Sequence, residues 1–203
     1  MISTILSFLL PAAAVVATKS ATAETTKTLD NLQAAFNGES NAHAHYLAFA
    51  KKADEEGYGE VASLFRAASK AEGIHAANHA RVIREMGAEP EATIEPAHVR
   101  STRENLQVAI DGETYERDQM YRSFVEEATA AKNASVIKTF TFALKTEAEH
   151  VRLYSEALKN LEKLRGKSHT YYVCSECGYT VETLNFLKCI VCGHPKDDYI
   201  RVS

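Results

Sequence analysis

Two short stretches of the chain, Ala71 to His75 (AEGIH) and Thr146 to His150 (TEAEH), each set a glutamate and a histidine three residues apart: Glu72 with His75, and Glu147 with His150. On a helix this spacing puts a carboxylate and an imidazole on one face, one turn apart. A face that offers both groups is half of a site for a divalent metal. One such pair is a common accident on a charged helical surface, but two at matching places in a repeated sequence are not. A second cluster lies near the C-terminus, where all four cysteines form two Cys-x-x-Cys pairs, Cys174 with Cys177 and Cys189 with Cys192. Each pair is followed by a glycine, Gly178 and Gly193, which permits the tight turn that lets two knuckles wrap one ion with four thiolates. Spacing alone suits zinc and iron equally.

The elements that must carry these groups are helices. Apolar and special residues from Thr28 to about Glu56 fall at Leu29, Leu32, Phe36, Glu39, His43, Tyr46, Ala50 and Ala53, in steps of three and four. A second stripe, from about Tyr58 to Met86, runs through Val61, Phe65, Ala68, Glu72, His75, His79, Val82 and Met86, and Gly57 divides the two. Residues 87–100 contain two prolines and no stripe, so they read as a crossover connection. Ser101 with Glu104 forms a capping box that starts a third helix, whose inner face runs through Leu106, Ile110, Glu113, Glu116, Met120 and Phe124. A fourth, from about Ala134 to Leu164, carries Val136, Phe140, Ala143, Glu147, His150, Tyr154, Ala157 and Leu161, with Arg165-Gly166 ending it.

The two halves repeat one helical hairpin. LQAAFNGE, ending at Glu39, aligns with LQVAIDGE, ending at Glu113, and that register brings Glu72 and His75 within one residue of Glu147 and His150. Four amphipathic helices with a long middle connection predict a mainly α fold: a ferritin-like four-helix bundle, here followed by a small β domain around the cysteines. Glu39, Glu72, Glu113 and Glu147 stand where the stripes call for leucine, and no basic residue shares those stripes. An ionised carboxylate in such a place costs several kcal/mol unless it is paired or binds a cation. Carboxylates with imidazoles suit divalent iron or manganese, and a Glu from each of two helices plus Glu-x-x-His from each of the others is the pattern of dinuclear carboxylate proteins. Glu116, one turn beyond Glu113, is a seventh candidate ligand. His43 and His79 lie on inner stripes and read as core histidines, with a place behind the ligands as the alternative; His45, off the stripe, is expected to face solvent.

With Lys+Arg at 23 against Asp+Glu at 27, the net charge of −4 offers no basic surface, which excludes nucleic-acid binding as the chain's business. At 203 residues there is room for one substantial domain and a small appendage. Residues 2–17 form an apolar run, and Ala21-Thr22-Ala23 follows as a small-x-small pattern, so residues 1–23 read as a secretory signal. Against this, no Lys or Arg precedes the run and Pro11 interrupts it, which keeps a cytoplasmic chain with a retained tail as the alternative. The division expected is 1–23 signal, 27–165 bundle and 168–203 small domain.

From about Thr28 to Ser203 the sequence resembles rubrerythrin, a ferritin-like di-iron bundle joined to a rubredoxin-like Fe(Cys)4 domain. By that resemblance Glu39, Glu72, His75, Glu113, Glu116, Glu147 and His150 match iron ligands, with Glu72 and Glu147 as bridges. Glu39 and either His75 or Glu116 would serve one iron, and Glu113 and His150 the other. Tyr46 and Tyr121 match tyrosines near the site, and Cys174, Cys177, Cys189 and Cys192 match the rubredoxin ligands, which moves the cage from zinc to iron. The sequence departs from the family at Ile190, where the second knuckle usually has proline, and in the short interval between knuckles. The resemblance implies a hydrogen peroxide reductase, with electrons from a donor reductase or small redox protein. It also implies a head-to-tail homodimer in which one subunit's cage serves the other's di-iron site. A ferroxidase or iron-handling protein is the alternative activity.

Overall fold

A computed structural model describes residues 12–203, with side chains from residue 26 onward. The main body is four antiparallel rods: α1 (Ala12–Glu55), α2 (Gly59–Glu85), the third rod made of α3 (Thr102–Tyr115) and α4 (Tyr121–Ala130), and α5 (Ala134–Lys159). Of the expected signal segment, residues 1–11 lie outside the described residues, and from Ala12 the chain belongs to α1. Among the described residues no helix is long and apolar enough to cross a membrane.

Local chemistry sets the rod ends. Ser101 and Glu104 make the reciprocal capping box, and the free N–H of Thr102 is taken by Glu56 at 2.8 Å, which ties the start of α3 to the end of α1. Asn133 caps α5 by accepting from the Val136 N–H. That rod leaves the α-helix at Lys159 and finishes as a 3-10 turn over Leu161–Lys163, short of the expected Leu164.

The third rod is not the uninterrupted helix that the stripe predicts. Between α3 and α4, residues Glu116–Met120 form a π-turn, with the Tyr121 N–H returning to the Glu116 carbonyl. The sequence contains its cause. Glu39 and Tyr46 are seven residues apart, whereas their repeat partners Glu113 and Tyr121 are eight apart. The wider turn absorbs the extra residue and restores phase, so that Tyr121 and Ala128, rather than the expected Met120, are the buried positions beyond Glu113.

Residues 87–100 cross the bundle as an extended strap along α1. Gln33 and Asn37 accept from the N–H groups of Glu91 and Thr93, Asn41 accepts from Glu95, and His45 Nε2 donates to the Glu95 carbonyl at 2.9 Å. Four helical residues rise about 6.0 Å and two extended residues about 6.6 Å, so an i, i+4 row on a helix can pair with every second residue of a strap. His45, off the stripe, is therefore a strap anchor on the exposed side of α1.

Two apolar clusters fill the bundle. One contains Phe49, Leu64, Phe65, Leu106, Leu153 and Tyr154; the other contains Leu32, Ile83, Tyr121, Val136 and Phe140. The acids lie in a polar layer between them. Beyond Gly166 the chain forms a three-stranded antiparallel sheet, β1 (Tyr171–Cys174), β2 (Thr180–Val181) and β3 (Tyr199–Val202), in the order β2-β1-β3. The linker folds back along the start of α2, with the Gly166 N–H on the Gly57 carbonyl and the His169 N–H on Ser63.

Candidate metal centres

The four rods bring six of the predicted residues together as two overlapping groups. Glu39, Glu72, His75 and Glu147 form one, and Glu72, Glu113, Glu147 and His150 form the other, with donor atoms inside each group within 4.8 Å of one another. Glu72 and Glu147 belong to both, which is the geometry of a pair of bridges. Each imidazole Nδ1 faces three carboxylates. His75 lies 2.9, 3.1 and 3.6 Å from Glu72, Glu147 and Glu39. His150 lies 2.9, 3.1 and 3.5 Å from Glu147, Glu72 and Glu113. Donors about 2.1 Å from a shared divalent ion stand roughly 3.0 to 3.4 Å apart, so these spacings suit one ion per group.

The residues fit such ions by a second criterion. All six are at most 2 % exposed, yet Glu39 Oε2, Glu72 Oε1, Glu113 Oε2, both Glu147 oxygens and His150 Nδ1 are buried with no hydrogen-bond partner. Buried polar atoms are paired almost without exception in native proteins, and six that face one point without an aligned hydrogen bond fit bound cations. Protonation of the metal-free cage agrees. Burial, and then the charge of Glu72, pushes Glu39 up to about 8; burial and Glu147 hold Glu113 well above the carboxylate range. Burial opposes charge on the two imidazoles, but Glu147 beside His75 and Glu72 beside His150 raise both well above the usual value. Burial likewise opposes the charge of Glu72, and His150 overcomes it to hold that carboxyl low. Metal ions would replace the protons that this arrangement gathers.

Glu116, the remaining candidate, joins neither group. It is half-buried at the start of the π-turn, and burial with the nearby charge of Glu39 raises its carboxyl well above normal. Tyr46 donates to Glu113 at 2.6 Å, and Tyr121 donates to Glu39 through a short hydrogen bond. Burial first, and then Glu113 and Glu39 respectively, holds both phenols protonated. Of the inner-stripe histidines, His43 is tied to α2 through the Ser69 carbonyl, 2.7 Å away, whereas His79 stands behind Tyr121 at 3.0 Å.

The cysteines form the second centre. Cys174 Sγ lies 3.5 Å from Cys192 Sγ, and Cys177 Sγ 3.6 Å from Cys189 Sγ. A disulfide needs about 2.05 Å, whereas four thiolates about 2.3 Å from one tetrahedral ion are roughly 3.8 Å apart. Residues 177–180 then lie across both imidazoles of the first centre. His75 Nε2 donates to the Cys177 carbonyl at 3.1 Å, and His150 Nε2 to Thr180 Oγ1 at 3.3 Å, while the Thr180 hydroxyl donates on to Gly178. With Nε2 committed, Nδ1 of each ring is the atom left to bind metal. Gly178 has φ +78°, and a Cβ there would meet His75 Nε2 at 2.6 Å. Sequence reasoning placed the crossover at residues 87–100 but missed its pairing with α1, and it missed Thr180; the Gly178 that closes the first knuckle was the one visible signal of the docking.

The small domain thus docks on the di-iron residues of its own chain. The linker, pinned to Gly57 and Ser63, brings it back along α2.

The Rubrerythrin family profile matches residues 30–158. Nigerythrin of Nitratidesulfovibrio vulgaris is 36 % identical over 175 residues, covering 85 % of each chain. Rubrerythrin-2 of Clostridium acetobutylicum is 34 % identical over 178 residues, covering 85 % of this chain and 95 % of its own. The solved structure of fully reduced, all-ferrous nigerythrin superposes with a TM-score of 0.79 at 36 % identity, covering 86 % of each chain. A bacterioferritin of Desulfovibrio desulfuricans shares the fold at a TM-score of 0.66 and 20 % identity. With a carboxylate and histidine cage for two irons and a four-cysteine cage for a third, the chain belongs to the rubrerythrin family of redox enzymes.

Proposed function

We propose that the chain reduces hydrogen peroxide to water at the di-iron site, with electrons returned one at a time through the four-thiolate iron. The observation that supports this most is the hydrogen bond from His75 Nε2 to the Cys177 carbonyl, 3.1 Å long. A ligand residue of one centre there touches the backbone of a ligand residue of the other, which gives electrons a path of covalent bonds and one hydrogen bond. An iron store or ferroxidase has no use for that path.

When bound, the two irons supply the electron pair that breaks the O–O bond. The balance, H2O2 + 2 e− + 2 H+ → 2 H2O, leaves the protein to hold protons and keep bulk water out. Tyr46 and Tyr121 hold theirs at the phenolic oxygens, each aimed at a terminal glutamate. The apolar clusters above and below the polar layer exclude solvent from the carboxylates. Partners consistent with this reading are peroxide, a donor reductase or small redox protein, and a second copy of the chain as a homodimer. Export through the N-terminal segment belongs to the same reading.

The test is single-turnover peroxide reduction by reduced, metal-quantified protein, beside its Cys177→Ser variant. The variant is expected to perform one round but to lose donor-dependent turnover. Unchanged steady-state turnover in it refutes the electron route, and absence of a first round in the unaltered protein refutes the peroxidase.

A further inference from the structure

The two hairpins supply the di-iron cage in register: Glu39, Tyr46, Glu72 and His75 from the first correspond to Glu113, Tyr121, Glu147 and His150 from the second. The correspondence fails at positions that bear on the cage. Glu116 in the π-turn stands where the first hairpin has Ala42, and His79 stands where the second has Tyr154. Both departures fall on the Glu39 side of the cage.

Each terminal glutamate accepts from a tyrosine, and behind each tyrosine stands one member of the unequal pair. On the Glu113 side the place is taken by Tyr154, which packs edge-on against Tyr46 with ring centroids 5.7 Å apart. On the Glu39 side, His79 Nε2 lies 3.0 Å from the Tyr121 hydroxyl and Nδ1 lies 2.9 Å from Thr139 Oγ1. Tyr121 has one proton and gives it to Glu39. His79 must therefore donate from Nε2 to the phenolic oxygen and accept the Thr139 proton at Nδ1. The ring is fully buried, so no water competes for either nitrogen.

We propose that His79 is a positioning residue that fixes Tyr121, and through it Glu39, so that the Glu39–His75 ion position is preorganised by a line ending in a histidine held at both nitrogens, where the Glu113–His150 position has Tyr154 instead. The two positions consequently respond to different supports, and His79 sets the affinity of one of them. This rests on the dinuclear cage but not on peroxide as substrate.

The experiment is a Co(II) titration of the full chain freed of its dinuclear ions, followed by visible absorption, with the four-thiolate iron spectrum as internal reference. His79→Phe is expected to weaken one Co(II) by up to about tenfold, the lower end of what loss of a partner directly on a metal ligand costs, because His79 acts one residue further back through Tyr121, and to leave the other unchanged. The weakened ion is the one lost in Glu39→Ala. His79→Gln keeps a side-chain N–H donor and stays within about threefold of the unaltered protein. Tyr154→Phe alters the Glu113 side and leaves the Glu39 ion unchanged. The paired variant His79→Phe/Thr139→Val removes the hydroxyl that Phe would orphan, and serves if the single variant does not fold. Equal weakening of both ions, weakening of neither, or a loss in His79→Gln as large as in His79→Phe overturns the proposal. Turnover is never read, so the proposal and the peroxidase reading stand or fall separately.

Discussion

Gly178→Ala, compared with Gly193→Ala, isolates the contact between the two metal centres. Both glycines close a Cys-x-x-Cys knuckle in the left-handed region, at φ +78° and +79°, so an alanine at either adds the same backbone strain of about 1 kcal/mol. Their surroundings differ. A Cβ at Gly193 meets nothing within 4 Å, whereas one at Gly178 lies 2.6 Å from His75 Nε2, 3.1 Å from its Cδ2 and 3.2 Å from the Ala71 carbonyl. Ordinary contact begins at 3.4 Å, so the knuckle must retreat by about 0.8 Å. That stretches the 3.1 Å bond from His75 to Cys177 to about 3.9 Å, beyond hydrogen bonding. The loss of that bond, near 1 kcal/mol, and of the packing beside it brings the Gly178 variant to about 3 kcal/mol in all. Urea midpoints of the two variants give the stability difference. Rapid mixing of reduced protein with peroxide, followed at the thiolate-to-iron band, gives the rate at which the cage is re-oxidised through the di-iron site. The expected result is an intact thiolate-iron spectrum in both variants, with larger destabilisation and slower re-oxidation in Gly178→Ala alone. Equal losses in the two would mean that knuckle strain is the whole effect and that His75 does not bear on the cage.

The metal-free protein should lose stability as pH rises from about 6.5 to 8. Glu39 is raised from 4.5 to about 8, and His75 and His150 are raised above 6.5. The folded state therefore binds more protons than the unfolded chain in that window, and stability falls with pH. Metal-loaded protein, its cage protons replaced, should show a flat profile; melting temperatures with and without chelator check both. Asn41→Ala removes the side chain that holds both the Thr93 carbonyl and the Glu95 N–H, and should speed tryptic cleavage at Arg100. An unaltered cleavage rate means that Asn41 does not hold the strap on α1.

The ligands were legible because their chemistry constrains spacing. A carboxylate and an imidazole on one helical face must be three or four residues apart, and an acid on an apolar stripe has no apolar explanation. Glu39, Glu72, His75, Glu113, Glu147 and His150 could be read for that reason, and the cysteine knuckles for their own fixed spacing. The π-turn was legible in principle, since Glu113 and Tyr121 are one residue further apart than Glu39 and Tyr46. A stripe read in steps of three and four hides that offset, and so Met120 took the place of Tyr121. The bond from His45 to the strap was not legible, because a helical surface row shows its polar residues but not the extended segment that pairs with them. Thr180 and the Cys177 carbonyl could not be read at all. Their partners His150 and His75 lie 30 and 102 residues away, and only the docking of one domain on another brings them together.

On the proposed electron route, that docking also bears on the kinetic order of electron delivery. The cage is tethered to its own chain's di-iron residues through residues 164–170, so its effective concentration there is set by the tether and not by how much protein is in solution. On that route, transfer between the centres of one chain is expected to be first order and unaffected by dilution, and a dependence of turnover on concentration reports the arrival of the external donor, of the oxidant or of a second copy of the chain.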